Sequence, residues 1–186
     1  SLIFFAFCLF WRIIDRSPLW EYSLDVIGSL KDNLYLSALR GKGVKIMKYQ
    51  LIVDSCCELT QELKDEHGVI SVPLKITIDG KEYIDDENID MEEFLNALAA
   101  VKELPKSACP SPGEYAETFT ANDADWVFVV TLSSKLSGSY NSAVQAAEIV
   151  AEEGKKVHVF DSKSASAAQL LIAMKLIELI QSGLSA

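Results

Sequence analysis

Histidine and cysteine are scarce in this chain of 186 residues, with two of the first and four of the second. The histidines are His67 and His158. The cysteines are Cys8, Cys56, Cys57 and Cys109, and no two have Cys-x-x-Cys spacing. That argues against a zinc site, and no metal or cofactor is expected. Cys56 and Cys57 are adjacent and cannot readily bridge each other, so reduced thiols in a cytoplasm are the simplest account. A Gly-x-Ser-x-Gly elbow is missing, and neither histidine is placed to serve a nucleophile. His158 falls in a strand pattern, and His67 falls at a helix end beside Gly68. The Gly-x-x-x-x-Gly-Lys-Ser/Thr phosphate loop is missing too.

Positive charge is also in short supply. The chain carries 17 Lys and Arg against 27 Asp and Glu, a net charge of −10. From Met47 onward the balance is 11 against 23. Such a surface argues against nucleic acid and against an anionic membrane as partner. It leaves room for a small anion held by a local nest of N–H groups. A long hydrophobic run is lacking as well. Leu2 to Trp11 is apolar, but a spanning helix needs about twenty such residues, so stable membrane insertion is not expected. No positive charges precede it, as they would in a signal peptide. Residues 1–46 have no clear period, and a clean strand begins only after Met47. Lys42-Gly43-Val44 can be encoded by a purine-rich ribosome-binding sequence at a suitable distance before Met47. The expectation is that residues 1–46 are a spurious or unstructured extension and that 47–186 is the folded domain. A membrane-tethering extension is the alternative.

Against these absences stands one dense stretch, Trp126 to Ala143. Trp126-Val127-Phe128-Val129-Val130 reads as a buried parallel strand. It stops at Thr131-Leu132-Ser133-Ser134-Lys135-Leu136-Ser137-Gly138, and a helical pattern follows at once. Ser137 is the expected N-cap, Gly138 allows close backbone approach, and Gly154 is the expected stop. This order aims backbone N–H groups and serine hydroxyls at one point beyond the strand, which suits an anion. With paired serines and no lysine-bearing phosphate loop, a carboxylate or a single phosphate fits better than a nucleotide.

The same order recurs on both sides. Tyr49 to Val53 ends in Asp54-Ser55 before a helix at about 59–66, and Val157 to Phe160 ends in Asp161-Ser162 before a helix at about 165–181. Three such units predict an α/β fold with an open, mainly parallel sheet and helices on both faces, its ligand beyond the carboxyl ends of the strands. Asp and Ser after a strand are equally at home as helix caps. Between the units, Val69 to Ile78 reads as extended, Asp79-Gly80 as a hairpin turn, and Lys81 to Ile84 as the returning strand. Asp85-Asp86-Glu87 reads as a solvated loop. Asp90 with Glu93 starts a helix from Met91 to about Val101, with Phe94, Leu95, Leu98 and Val101 on its core face. Leu104 to Tyr115 holds three prolines and reads as a rigid loop, with Ser111 capping a helix that has Pro112 in its first turn.

These motifs, in this order, resemble the DegV family of bacterial fatty-acid-binding proteins. The residues that carry the resemblance are Val53-Asp54-Ser55, Val72-Pro73-Leu74 with the Asp-Gly hairpin, and Ser107 to Gly113. Leu132 to Tyr140 and Phe160-Asp161-Ser162 complete them. The resemblance spans about Met47 to Ala186. It implies a carrier rather than an enzyme, with one long-chain fatty acid in a hydrophobic tunnel and its carboxyl group on hydroxyl side chains. The carboxylate ligands it implies are Ser107 and Ser137, with Ser134 second in rank. It also implies a fatty acid kinase as partner, to which the carboxyl is presented for acyl-phosphate formation in bacteria that use exogenous fatty acids. The family continues into a second domain that closes the tunnel, so the resemblance implies an amino-terminal half with that domain missing. Two departures stand out. Ala108-Cys109-Pro110 replaces the usual Ser-Gln-Pro, and Cys56-Cys57 replaces small hydroxyl residues. The alternatives are a remnant that no longer binds ligand, and a hydrolase or phosphoryl-transfer domain on the same frame.

Overall fold

The structure is a computed structural model that describes residues 48–181. The expectation for residues 1–46 therefore lies outside the described residues. The described residues form seven strands and five helices. They are β1 (Tyr49–Asp54), α1 (Gln61–His67), β2 (Ile70–Val72), β3 (Lys75–Ile78), β4 (Lys81–Ile84) and α2 (Met91–Ala100). They continue with β5 (Lys106–Ala108), α3 (Pro112–Thr120), β6 (Trp126–Thr131), α4 (Ser139–Ala151), β7 (Lys156–Asp161) and α5 (Ala167–Gln181). As the sequence predicts, the main sheet is parallel throughout, in the order β2-β1-β6-β7.

Alternation along the central strands sends side chains into two separate cores. Leu51, Val53, Phe128 and Val130 meet Ile172, Ala173, Leu176 and Ile177 of α5 on one face, with Leu63 of α1 packed against them. Ile52, Val127 and Val129 meet Tyr115 and Phe119 of α3 and Ala143, Ala146 and Val150 of α4 on the other. Both faces are covered, which explains why Trp126 to Val130 of β6 and the Leu51-Ile52-Val53 centre of β1 are continuously apolar.

A second, antiparallel sheet has the order β4-β3-β5. Its hairpin turns at Asp79-Gly80, both at positive φ (46° and 85°), the geometry of the tight turn that the Asp-Gly pair favours. Leu74, Ile76, Ile78, Tyr83 and Phe94 form its core, together with Cys56 and Leu132 from the ends of the parallel strands. Cys57, by contrast, joins the α5 core. The adjacent cysteines thus point into different cores. Burial pushes the Cys56 thiol up to about 12 and raises that of Cys57 as well, which makes both inert packing groups.

Four expectations need correction. Residues 106–108 are a strand, not a loop, because the free edge of β3 accepts them with Ser107 opposite Ile76. Asp85 is not fully solvated: it is partly buried, bonded to the Ser55 hydroxyl, and raised above the usual carboxylate range by burial. Leu95 is exposed while Phe94 is buried edge-on to Tyr83 at 5.3 Å, so the core face of α2 is narrower than its spacing suggested. The N-cap of α4 is Gly138 rather than Ser137.

Phe94→Ala is expected to destabilise the fold by about 3–5 kcal/mol, the usual cost of emptying a buried aromatic site. Leu95→Ala should stay within about 0.5 kcal/mol of the parent, as surface changes do. Urea denaturation of the two variants checks the contrast.

Candidate functional site

In an open parallel sheet the crevice for a ligand forms where successive connections leave in opposite directions. Here β1 connects to β2 on one side and β6 to β7 on the other, so the switch point lies between β1 and β6. The chain fills the crevice with one acid. Asp54 closes β1 and is fully buried. Its Oδ2 accepts from the Leu132 N–H at 2.8 Å and from the Ser139 hydroxyl at 2.8 Å, and its Oδ1 accepts from Gln169 Nε2 at 3.0 Å. Tyr115 Oη lies 2.6 Å from Ser139 Oγ. Because Ser139 gives its proton to Asp54, the buried phenol is the donor in that pair. Gln169 also donates to the carbonyl of Val130 at 3.1 Å. Five elements, β1, β6, α3, α4 and α5, are thereby tied at one point.

Burial is the dominant influence on Asp54 and raises its carboxyl above the ordinary range. The bonds from Gln169, Leu132 and Ser139 act in the opposite direction. The phenol of Tyr115 is raised well above its ordinary value, also by burial. The sequence reading placed Asp54 at a strand end but missed Ser139, Tyr115 and Gln169. The available signal was Gln169, a polar residue in an otherwise apolar stretch of α5.

Beyond this knot, the turn from Ser133 to Ser137 folds back on itself. Leu136 N–H and Ser137 N–H both donate to the Ser133 carbonyl, at 2.9 and 3.1 Å. Ser134 donates its hydroxyl to Asp161 Oδ2 at 2.5 Å, and its N–H donates to Oδ1 at 3.0 Å. Its polar groups are therefore committed to the end of β7, and Ser134 is placed as a strut. Ser137 Oγ accepts from the Ser139 N–H at 3.2 Å, and its proton has no acceptor among the described residues. Ser137 thus stands beside the amino terminus of α4 with a donor to offer.

Ser107 lies on β5 of the other sheet, exposed, with its hydroxyl unengaged among the described residues. The two segments meet just past Ser107. Cys109 Sγ lies 3.8 Å from Ser142 Oγ on α4 and close against Gly138. The loop between β5 and α3 is steadied at its other end by the predicted cap. Ser111 Oγ accepts from Glu114 N–H, and the Glu114 carboxylate accepts from Ser111 N–H at 2.8 Å. Those bonds and the ion pair with Lys75 at 2.9 Å hold Glu114 down at about 2. Among the described residues no cluster of His, Cys, Asp and Glu could hold a metal ion, and no helix is long and apolar enough to cross a membrane.

A family model described as "Uncharacterised protein, DegV family" matches residues 48–186. The chain belongs to the DegV family. A DegV domain-containing protein of Streptococcus pneumoniae is 38% identical over 143 residues, covering 75% of this chain and 50% of that relative. The chain spans about half the length of the curated relatives it matches. Among solved structures, a DegV family protein from Ruminococcus gnavus, refined with vaccenic acid, superposes with a TM-score of 0.70 at 42% identity. That match covers 75% of this chain and 50% of that one. The Streptococcus pneumoniae Fatty Acid Kinase (Fak) B3 protein, loaded with linoleic acid, gives 0.66 at 36% identity over 75% and 50% of the two chains. DegV of Bacillus subtilis, a fatty acid binding protein, gives 0.66 at 28% over 74% and 49%.

In this DegV domain the Asp54 knot makes two expectations. Asp54→Ala leaves three buried donors without acceptors, each costing about 1–3 kcal/mol, so a loss of at least about 3 kcal/mol is expected. Asp54 holds its proton to higher pH in the folded than in the unfolded state. Its contribution to stability therefore falls as pH rises from the ordinary 3.8 through the raised folded value, and is level above it. Against Asp54→Asn, which does not titrate, the parent should gain stability as pH falls through that window. Urea melts of both proteins across acid pH measure it.

Proposed function

We propose that the domain binds a long-chain fatty acid, with its carboxylate hydrogen-bonded by Ser107 and Ser137, and presents it to a fatty acid kinase for acyl-phosphate formation. The observation that carries the reading is the free hydroxyl of Ser137 at the amino terminus of α4, beside the segment that follows Ser107 and β5. A carboxylate entering from an apolar tunnel loses its water and needs donors in return. Two hydroxyls and a helix amino terminus supply donors without adding a positive charge. The fatty acids in the related solved structures support this ligand class, and the Fak B3 relative supports a kinase partner. The role is that of a carrier. The acids of the site are committed to structure: Asp54 accepts from Leu132, Ser139 and Gln169, and Asp161 from the hydroxyl and N–H of Ser134 and the N–H of Lys163. Residues 47–186 would be the lipid-binding domain and residues 1–46 an extension outside it.

Ser134 takes the lesser part in this reading. Its hydroxyl would have to leave Asp161 to reach a ligand, so it orients the turn instead.

Ser107→Ala and Ser137→Ala, each made in the native protein, should weaken fatty-acid binding about tenfold or more. A hydrogen bond to a charged group contributes roughly 1.5–3 kcal/mol. Ser111→Ala should cost about 1 kcal/mol of stability through its cap and leave affinity intact. Titration with a fatty acid labelled at its methyl end reads all three. Affinity unchanged within about twofold for both site variants would remove Ser107 and Ser137 from the site.

A further inference from the structure

We infer that Gly138 is a positioning residue: the space its missing side chain leaves lets Cys109, just past β5, seat the Ser107 segment against the amino terminus of α4. The inference rests on the carboxylate reading of Ser107 and Ser137 and deepens it.

Conformation does not explain this glycine. Gly138 has φ −75° and ψ −3°, right-handed backbone that any L residue adopts. Capping does not explain it either. It occupies the N-cap of α4 without a side-chain bond, where Ser, Thr, Asp or Asn would supply one. Space does explain it. A Cβ added at Gly138 would lie 3.1 Å from Cys109 Sγ, closer than such atoms ordinarily approach. At Gly113 the nearest atom to an added Cβ is Ser111 Oγ at 3.8 Å, an ordinary contact. The sulfur that occupies the space also lies 3.8 Å from Ser142 Oγ, one turn along α4.

The place of the contact gives it consequence. Cys109 stands two residues after Ser107, and Gly138 stands one after Ser137. The Cys109–Gly138 contact therefore joins the two hydroxyl-bearing segments, one from each sheet. Two donors that share one carboxylate must be held to a fraction of an ångström, and a contact between a short side chain of one segment and the bare backbone of the other is a direct way to do it. A methyl group at 138 would push the loop away by a few tenths of an ångström and separate the donors. The helix would itself tolerate the change, because Gly→Ala at a compatible backbone position ordinarily stabilises.

The test uses the native protein and its Gly138→Ala, Cys109→Ala and doubly substituted variants. Three readings are taken: affinity for a fatty acid labelled at its methyl end, the melting temperature, and the rate at which N-ethylmaleimide labels Cys109, located by peptide mass. Cys56 and Cys57 are buried, so labelling at Cys109 stands apart from them. Gly138→Ala is expected to label at Cys109 about threefold faster or more, as the sulfur is displaced. It should bind fatty acid about tenfold more weakly without a fall in melting temperature. Removing the sulfur restores the space, so the double variant should bind within about twofold of Cys109→Ala alone. An unchanged labelling rate in Gly138→Ala overturns the contact, whatever the protein binds. Faster labelling with unchanged affinity, or a double variant that is not rescued, overturns the positioning role. Unchanged affinity in Ser137→Ala is a different failure. It overturns the carboxylate reading and the positioning role with it, while the labelling rate still decides whether the contact exists.

Discussion

A buried carboxylate with no cation beside it among the described residues sets the terms for the rest of this domain. Asp54 is tolerated at the centre because Leu132, Ser139 and Gln169 turn donors toward it, and Tyr115 completes the chain of hydroxyls. An unpartnered buried charge would cost many kcal/mol, so each of these groups has one acceptable place. The consequence is positional. The start of α4, the end of β6 and the first turns of α5 are fixed relative to one another before any ligand arrives. Ser137 inherits that order through the N–H of Ser139, whose own side chain is bonded to Asp54. Apolar packing holds the two faces of the sheet. The acid decides how the strand ends and helix starts align.

The serines at the mouth of the sheet look alike in the sequence and differ in the structure. Ser139 and Ser134 are bound to carboxylates, and Ser55 links the two sheets through Leu74 N–H and Asp85. Among the hydroxyls named for the site, those of Ser107 and Ser137 have no acceptor among the described residues. A polar strand end is thus mostly internal scaffolding, and the proposed site is the small remainder left over when the scaffold is satisfied.

Much of the fold was legible because its signals are local. The Val-rich run of β6, the Asp79-Gly80 turn, the Asp90 cap and the Ser111-Pro112 helix start each depend on a few neighbouring residues. What escaped depends on distant partners. The segment 106–108 becomes a strand only because β3 offers an edge, and nothing within the proline-rich loop announces that. The cap of α4 falls at Gly138 rather than Ser137, against a sulfur 29 residues earlier in the chain. The Asp54 knot draws on residues up to 115 positions apart, beyond the reach of any periodicity. For the proposed site, Ser107, Ser137 and Ser134 were named by resemblance, and the commitment of Ser134 to Asp161 is visible only in the geometry.

The short strand β5 has a further consequence for how the domain behaves among its copies. It is an outer strand of its sheet, with all three residues exposed, and an outer strand is an invitation to pair with another chain. Pro105 stands immediately before it and Pro110 two residues after it, and neither can donate a ladder bond. Lys106 adds a charge that would have to be buried in any such pairing. The rigid backbone that presents Ser107 is therefore also a gatekeeper against polymerisation, and a hydroxyl can be held on an open border without that border becoming a seed for fibrils.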